Sequence, residues 1–153
     1  MTHAMTDSGL MPPTLARLVQ ATNDHDLEAL VGCFAADYVL VMPNHPSRDF
    51  TGTEPVRRNW MQLFSAVPDI TVTVSRVGRD VSDPDGWWSE WEMQGTRRDG
   101  HPHLMRGVMI FTVGAGPADL IRANRFYVEP TGPGSEQDND AFIAELTGSR
   151  LPS

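Results

Sequence analysis

Apolar residues recur at helical spacing in three stretches of the first half of the chain. They repeat every three or four positions, as one buried face of a helix requires. The predicted helices cover about 14–22, 26–34 and 54–67. The third has the clearest amphipathic pattern, with Thr53 as its expected N-cap and Pro68 beyond its end.

Beyond Pro68 the apolar residues alternate with polar ones, the two-residue period of a half-buried strand. Ile70, Val72 and Val74 begin this pattern. Turn-forming Asp, Pro and Gly residues separate the later runs. A short apolar run before the third helix also predicts a strand. The five predicted strands cover about 38–42, 70–75, 87–94, 104–113 and 120–128.

The order of these elements predicts an α+β fold with a layer of three N-terminal helices on one face of an antiparallel sheet. No repeat or domain boundary interrupts the pattern, and 153 residues suit one domain. The predicted domain covers 12–130. Residues 1–11 are expected to form a flexible tail, and 131–153 a loop with a short helix.

Composition and charge exclude several classes of function. The net charge of -8 argues against a nucleic-acid partner, because phosphate contacts need clustered Lys and Arg. No apolar run approaches the roughly 20 residues that span a membrane. The first residues lack the basic and apolar regions of a signal peptide. A cytoplasmic location is therefore expected.

Metal and disulfide chemistry find little support in the sequence. Cys33 is the single cysteine, so no intramolecular disulfide can form. His101 and His103 are close in sequence but have no third ligand nearby. We therefore expect neither a metal site nor a cofactor.

Several short motifs resemble the SnoaL-like polyketide cyclases of the nuclear transport factor 2-like superfamily. They are the segments Asp-Leu-Glu-Ala-Leu, Phe-Ala-Ala-Asp-Tyr-Val and Phe-Thr-Gly at 26–30, 34–39 and 50–52. Two more are Leu-Phe-Ser-Ala-Val-Pro-Asp-Ile and Trp-Glu-Met-Gln-Gly-Thr at 63–70 and 91–96. The likeness covers about 15–130 and implies a cone-shaped α+β barrel, commonly a homodimer, whose sheet curls around a cavity.

The resemblance also implies a set of pocket residues. If the strand faces match those of the family, apolar and aromatic side chains line the cone, which suits a small hydrophobic ligand. The alternative is that these side chains fill the cone and leave no cavity. The expected lining comprises Leu18, Tyr38, Met42, Trp60, Phe64, Trp91, Met93, Met109, Phe111 and Phe126.

In these cyclases an acidic residue at the end of the last strand acts as general acid/base in an intramolecular aldol closure. The matching position is Glu129, where the family usually has Asp. The extra methylene moves the carboxylate by roughly 1 Å, which can matter for proton transfer. A strand-end carboxylate in water, or one paired with Arg125, is the competing interpretation.

Ketosteroid isomerases share the fold but need a Tyr donor, an Asp base and an Asp donor. The matching positions by motif alignment are Leu18, Met42 and Gly107, which cannot perform that proton transfer. The resemblance therefore implies no isomerase of this type.

Two further polar residues are candidates for catalysis. Asn124 is expected inside the lining, where a buried amide must be hydrogen-bonded and would either orient a ligand or satisfy the backbone. His45, in a loop near the expected mouth, is either a proton shuttle or an exposed loop histidine.

The sequence thus predicts a cofactor-free protein that binds a small hydrophobic or polyketide-like molecule. On this interpretation it performs aldol cyclisation, dehydration or isomerisation with Glu129, Asn124 and His45. The alternative is a non-catalytic ligand-binding or accessory dimer with the same fold.

Overall fold

A computed structural model describes residues 11–131. Within this range, three helices and six strands follow one another, with a 3-10 turn at Pro46–Arg48. The helices are α1 (Pro13–Asn23), α2 (Leu27–Val31) and α3 (Glu54–Ala66). The strands are β1 (Phe34–Val41), β2 (Phe50–Thr51), β3 (Thr71–Arg79), β4 (Gly86–Thr96), β5 (Pro102–Thr112) and β6 (Ile121–Pro130).

The predicted α+β class and the three-helix layer are confirmed. The six strands form one sheet in the order β2-β1-β6-β5-β4-β3. The last four strands form an antiparallel meander, while β1 pairs with β6 in parallel. The sheet is therefore mixed, because the chain crosses from its edge hairpin through α3 to the opposite edge.

The boundary between α2 and β1 differs from the prediction. The sequence pattern predicts a helix as far as Phe34, but α2 ends at Val31 and Phe34 begins β1. Gly32 caps the helix, and its N–H donates to the Glu28 carbonyl. A register shift between Phe34 and Val39 hides the two-residue period of this strand. The sequence pattern does not predict β2, because two residues are too few to show the alternation of a strand.

Alternation along β4 confirms the predicted inner and outer faces. Trp87, Ser89, Trp91 and Met93 are buried on the inner side. On the outer side, Glu92 accepts a hydrogen bond of 2.6 Å from Arg106 of β5. The outer face therefore carries solvated charge, as its acidic residues predict.

Trp88 lies on this outer face and is 46% exposed. The predicted homodimer and the cytoplasmic location both stay predictions. No described helix is long and apolar enough to cross a membrane. The predicted tail over 1–10 and the predicted C-terminal loop and helix from 132 onward lie outside the described residues.

Candidate functional site: an apolar cavity between sheet and helices

The inner face of the sheet and the helices enclose a cavity of about 210 Å³. Its walls come from α1, β1, β2, α3, β4, β5 and β6, so every layer of the fold contributes. Side chains of β4, β5 and β6 reach the cavity at every second position, as Trp91 and Met93, Met109 and Phe111, and Asn124 and Phe126 do. The lining comprises Leu18, Thr22, Phe34, Tyr38, Leu40, Met42, Phe50, Val56, Asn59, Trp60, Leu63, Trp91, Met93, Met105, Met109, Phe111, Asn124 and Phe126.

The structure brings nine of the ten predicted pocket residues to this cavity. They are Leu18, Tyr38, Met42, Trp60, Trp91, Met93, Met109, Phe111 and Phe126. Phe64 is not among the lining residues. Its ring stacks on His25, in the turn between α1 and α2, with 4.6 Å between ring centroids.

Sequence reasoning missed several lining residues for which a signal existed. Met105 shares the strand face of Met109 and Phe111, two-residue steps along β5. Val56 and Leu63 belong to the apolar stripe of α3. The sequence pattern places Phe34 in the preceding helix, so Phe34 is absent from the predicted lining. Asn59 is polar and exposed at the rim, so no periodicity indicates it.

Seven of the lining side chains are aromatic, and four are methionines. Trp91 and Phe111 pack against each other with 6.0 Å between ring centroids. Methionine adapts to irregular shapes and makes favourable sulfur contacts with aromatic rings. Among the described residues that line the cavity, none is a carboxylate, a histidine, a lysine or an arginine. The interior therefore suits a neutral, apolar molecule.

Two buried polar side chains from neighbouring strands meet in this interior. Leu40 of β1 pairs with Asn124 of β6, and Tyr38 lies two residues before Leu40. Tyr38 is 2% exposed and Asn124 is 4% exposed. Burial raises the pKa of the Tyr38 phenol well above its ordinary value, and a hydrogen bond with the Asn124 side chain partly opposes this rise. Tyr38 therefore keeps its proton at neutral pH.

The hydrogen bonding of the Asn124 amide is incomplete. Its Nδ2 donates to the Met109 sulfur at 3.4 Å. Its Oδ1 has no hydrogen-bond partner among the residues described. A buried polar atom without a partner is unusual in a folded protein.

The other two predicted catalytic residues lie together, but outside the lining. Nε2 of His45 is 2.9 Å from one carboxylate oxygen of Glu129 and 3.2 Å from the other. The His45 side chain is 9% exposed and that of Glu129 is 35% exposed. Met42 lines the cavity three residues before His45, and Phe126 three residues before Glu129. The pair thus lies just beyond the lining along both chain segments.

His45 and Glu129 do not have the surroundings that two simpler interpretations predict, an exposed loop for His45 and Arg125 as the partner of Glu129. His45 is almost fully buried, so it is not an exposed loop histidine. Arg125 donates to the Tyr127 hydroxyl, and Glu129 instead contacts His45. Glu129 is not among the lining residues, whereas Asn124 and Phe126, earlier on the same strand, are. The structure therefore brings Asn124, and not Glu129 or His45, to the cavity.

No group of His, Cys, Asp and Glu residues within the described range could hold a metal ion. The expectation of a cofactor-free site stays a prediction.

Comparison with known proteins confirms the resemblance seen in the sequence. The family model of the SnoaL-like domain matches residues 15–121. Among curated proteins, none matches the chain. Solved structures with under 25% identity share the fold.

Three of these structures illustrate the range of proteins with this fold. An NTF2-like protein from Exiguobacterium sp. 255-15 has a TM-score of 0.62 at 18% identity, covering 78% of this chain and 99% of its own. A Mycobacterium tuberculosis protein in complex with estradiol-17β-hemisuccinate has a TM-score of 0.62 at 22% identity, covering 76% and 94%. An epoxide hydrolase/cyclase-like enzyme with a role in pyran ring formation in the polyether salinomycin has a TM-score of 0.63 at 16% identity, covering 77% and 88%.

Proposed function

The chain belongs to the SnoaL-like domain family, and on that basis we propose that it binds a small hydrophobic molecule in the cavity between sheet and helices. The observation that carries this proposal is the cavity of about 210 Å³ with its aromatic and methionine walls. Space of this kind inside a protein costs packing energy, which a bound apolar ligand would restore. A related fold crystallised with a steroid ester supports the same proposal.

The rim of the cavity at α3 offers a way to test ligand binding. Leu63 lines the cavity and is half-buried, whereas Met61, two residues earlier on the same helix, is 54% exposed and does not line it. Leu63→Trp should therefore occupy ligand space, and Met61→Trp should place the same side chain in solvent.

We expect the unmodified protein to bind naphthalene in equilibrium dialysis. Leu63→Trp should weaken this binding by more than about tenfold, equivalent to roughly 1.4 kcal/mol. Met61→Trp should leave it within about twofold. Circular dichroism checks that both variants fold. Equal affinities in the two variants, or no binding to the unmodified protein, would contradict the proposal.

A second candidate function is acid/base conversion of the bound molecule, as in an aldol cyclisation. The observation that favours it is the carboxylate–imidazole pair of Glu129 and His45, which lies just beyond the lining residues Met42 and Phe126. A carboxylate base there would remove a proton beside a ketone, and the enolate carbon would attack a second carbonyl of the same molecule. The resulting alkoxide takes up a proton, which His45 can relay, so no co-reactant is needed.

Glu129→Gln tests this second candidate. With an aromatic polyketone that the unmodified protein cyclises, the variant should lose at least about a hundredfold in kcat with KM within a few-fold, because general acid–base catalysis contributes about 10²- to 10⁴-fold. Glu90→Gln is the matched control, since Glu90 lies on the outer face beside Ser75. Absence of turnover with linear and aromatic polyketones, or equal turnover in both variants, would leave ligand binding as the function.

A further inference from the structure

The unpaired oxygen of Asn124 indicates what kind of ligand the cavity prefers. Asn124 lines the cavity from the middle of β6, and its side chain is almost completely buried. Its Oδ1 lacks a hydrogen-bond partner among the described residues. A ligand that donates a hydrogen bond to this oxygen would remove the cost of leaving it unpaired.

The contact with Met109 fixes which end of the amide is free. A thioether sulfur accepts hydrogen bonds weakly and donates none. The amide nitrogen faces this sulfur at 3.4 Å. Turning the amide over would place Oδ1 against the sulfur, an acceptor against an acceptor. The atom without a partner within residues 11–131 is therefore the amide oxygen, a hydrogen-bond acceptor, and a ligand must supply the donor.

Tyr38 adds the complementary group. Its hydroxyl lies beside the Asn124 side chain, and burial keeps its pKa high enough that the O–H remains protonated. A phenolic O–H can donate to a ligand oxygen as well as accept. A hydroxyl group on the ligand can satisfy both residues, since it donates to Asn124 and accepts from Tyr38. An ether can only accept.

The walls define the rest of the ligand. Flat aromatic side chains such as Trp91 and Phe111, together with adaptable methionines, suit a planar aromatic ring system. A dry cavity of about 150 Å³ in another protein accommodates benzene, so 210 Å³ fits a ring system slightly larger than one ring. No lining residue in the described part of the chain carries a charge that could neutralise a carboxylate or a phosphate.

We propose that the cavity selects neutral aromatic alcohols, with the ligand hydroxyl donating to Asn124 Oδ1 and accepting from Tyr38. This inference rests on the proposed ligand-binding function. It also assigns Asn124 the first of its two expected roles, that of orienting a ligand, because the amide oxygen accepts a hydrogen bond from the ligand.

Four naphthalene derivatives test this selection by equilibrium dialysis at pH 7. We expect 2-naphthol to bind at least about tenfold more tightly than naphthalene or 2-methoxynaphthalene, as one added hydrogen bond to an unpaired group predicts. We expect 2-naphthoate to bind more weakly than all three. In Asn124→Leu, the affinities for 2-naphthol and naphthalene should converge to within about threefold. Asn44→Leu, the same exchange at an exposed position outside the lining, should keep the tenfold preference.

Each alternative outcome has a distinct meaning. Equal binding of 2-naphthol and naphthalene by the unmodified protein, or a preference that survives in Asn124→Leu, overturns the selection while ligand binding stands. Tight binding of 2-naphthoate overturns the requirement for neutrality. If none of the four compounds binds, the proposed function itself fails. The comparison on the unmodified protein decides the matter even if Asn124→Leu does not fold.

Discussion

Replacing Gly107 with alanine should lower the free energy of unfolding by about 3 to 4 kcal/mol, the sum of backbone strain and overpacking. Gly107 lies on β5 with φ of 155°, a conformation that residues with a side chain rarely adopt. A Cβ at this position would lie 2.2 Å from the Tyr127 carbonyl oxygen and 2.7 Å from Val128 Cα. Both atoms are backbone of β6, so no side chain can turn aside to make room.

The glycine matters for the site because it allows β5 and β6 to approach. Gly107 pairs with Val128 in the antiparallel register, and on the same two strands Met109 pairs with Phe126. Both of the latter line the cavity. Forcing the strands apart at Gly107 would therefore displace two walls of the cavity, and we expect weaker naphthalene binding as well as lower stability.

Gly78 provides the matched control. It lies on β3, at the far edge of the same sheet, and a Cβ there meets nothing within 4 Å. Gly78→Ala should change stability by less than about 0.5 kcal/mol, as for other surface substitutions. Urea denaturation of both variants measures the difference. Similar stabilities for Gly107→Ala and Gly78→Ala would mean that β6 yields at little cost.

The layers of this fold could be predicted because the hydrophobic periodicity is strong in helices and strands that bury only one face. Leu15 and Leu18 on α1, and the alternating tryptophans of β4, report directly which face is buried. The predicted first strand begins at 38, four residues after β1 begins, because the register shift removes the alternation there and Ala35 and Ala36 favour a helix. A resemblance to relatives placed the sheet correctly but could not reveal that β1 runs parallel to β6.

The candidate site was harder to predict than the fold, since it depends on where single polar groups point. Asn124 lines the cavity, whereas Glu129, five positions later on β6, does not, and the resemblance alone does not separate the two. The contact between His45 and Glu129 joins residues 84 positions apart. No local pattern encodes such a pair. The free oxygen of Asn124 likewise follows from the position of one sulfur atom.

Phe111→Ala should also be strongly destabilising, by about 3 to 5 kcal/mol, the usual cost of removing a buried phenyl ring. Phe111 is 1% exposed and packs against Trp91 across the inner face. Its removal loses the burial of the ring and leaves a void. Because the ring borders the existing cavity, the void joins it and enlarges it, and the walls cannot close over the enlarged space without bending the sheet.

Ile110, the neighbour of Phe111 on β5, serves as the control. It separates the loss of the buried ring from the lower strand propensity of alanine. Ile110 pairs with Trp88 and Arg125 and points to the outer face, half-buried. Ile110→Ala should cost clearly less than Phe111→Ala, about 1 to 2 kcal/mol, because the site is partly hydrated before the change. Urea denaturation of the two variants, one residue apart on the same strand, compares the two faces directly. Equal losses would mean that the inner face is no better packed than the outer one.

Phe111→Ala also links stability to ligand binding. A ligand that binds the folded state alone stabilises it by RT ln(1 + [L]/Kd), about 2.7 kcal/mol at a hundredfold excess over Kd. In Phe111→Ala the enlarged cavity should accept a three-ring hydrocarbon such as phenanthrene, which should raise the stability of the variant more than that of the unmodified protein. Naphthalene should raise both. If phenanthrene stabilises neither protein, or stabilises both equally, then Phe111 does not limit the size of the ligand, and the wall that does so lies elsewhere in the lining.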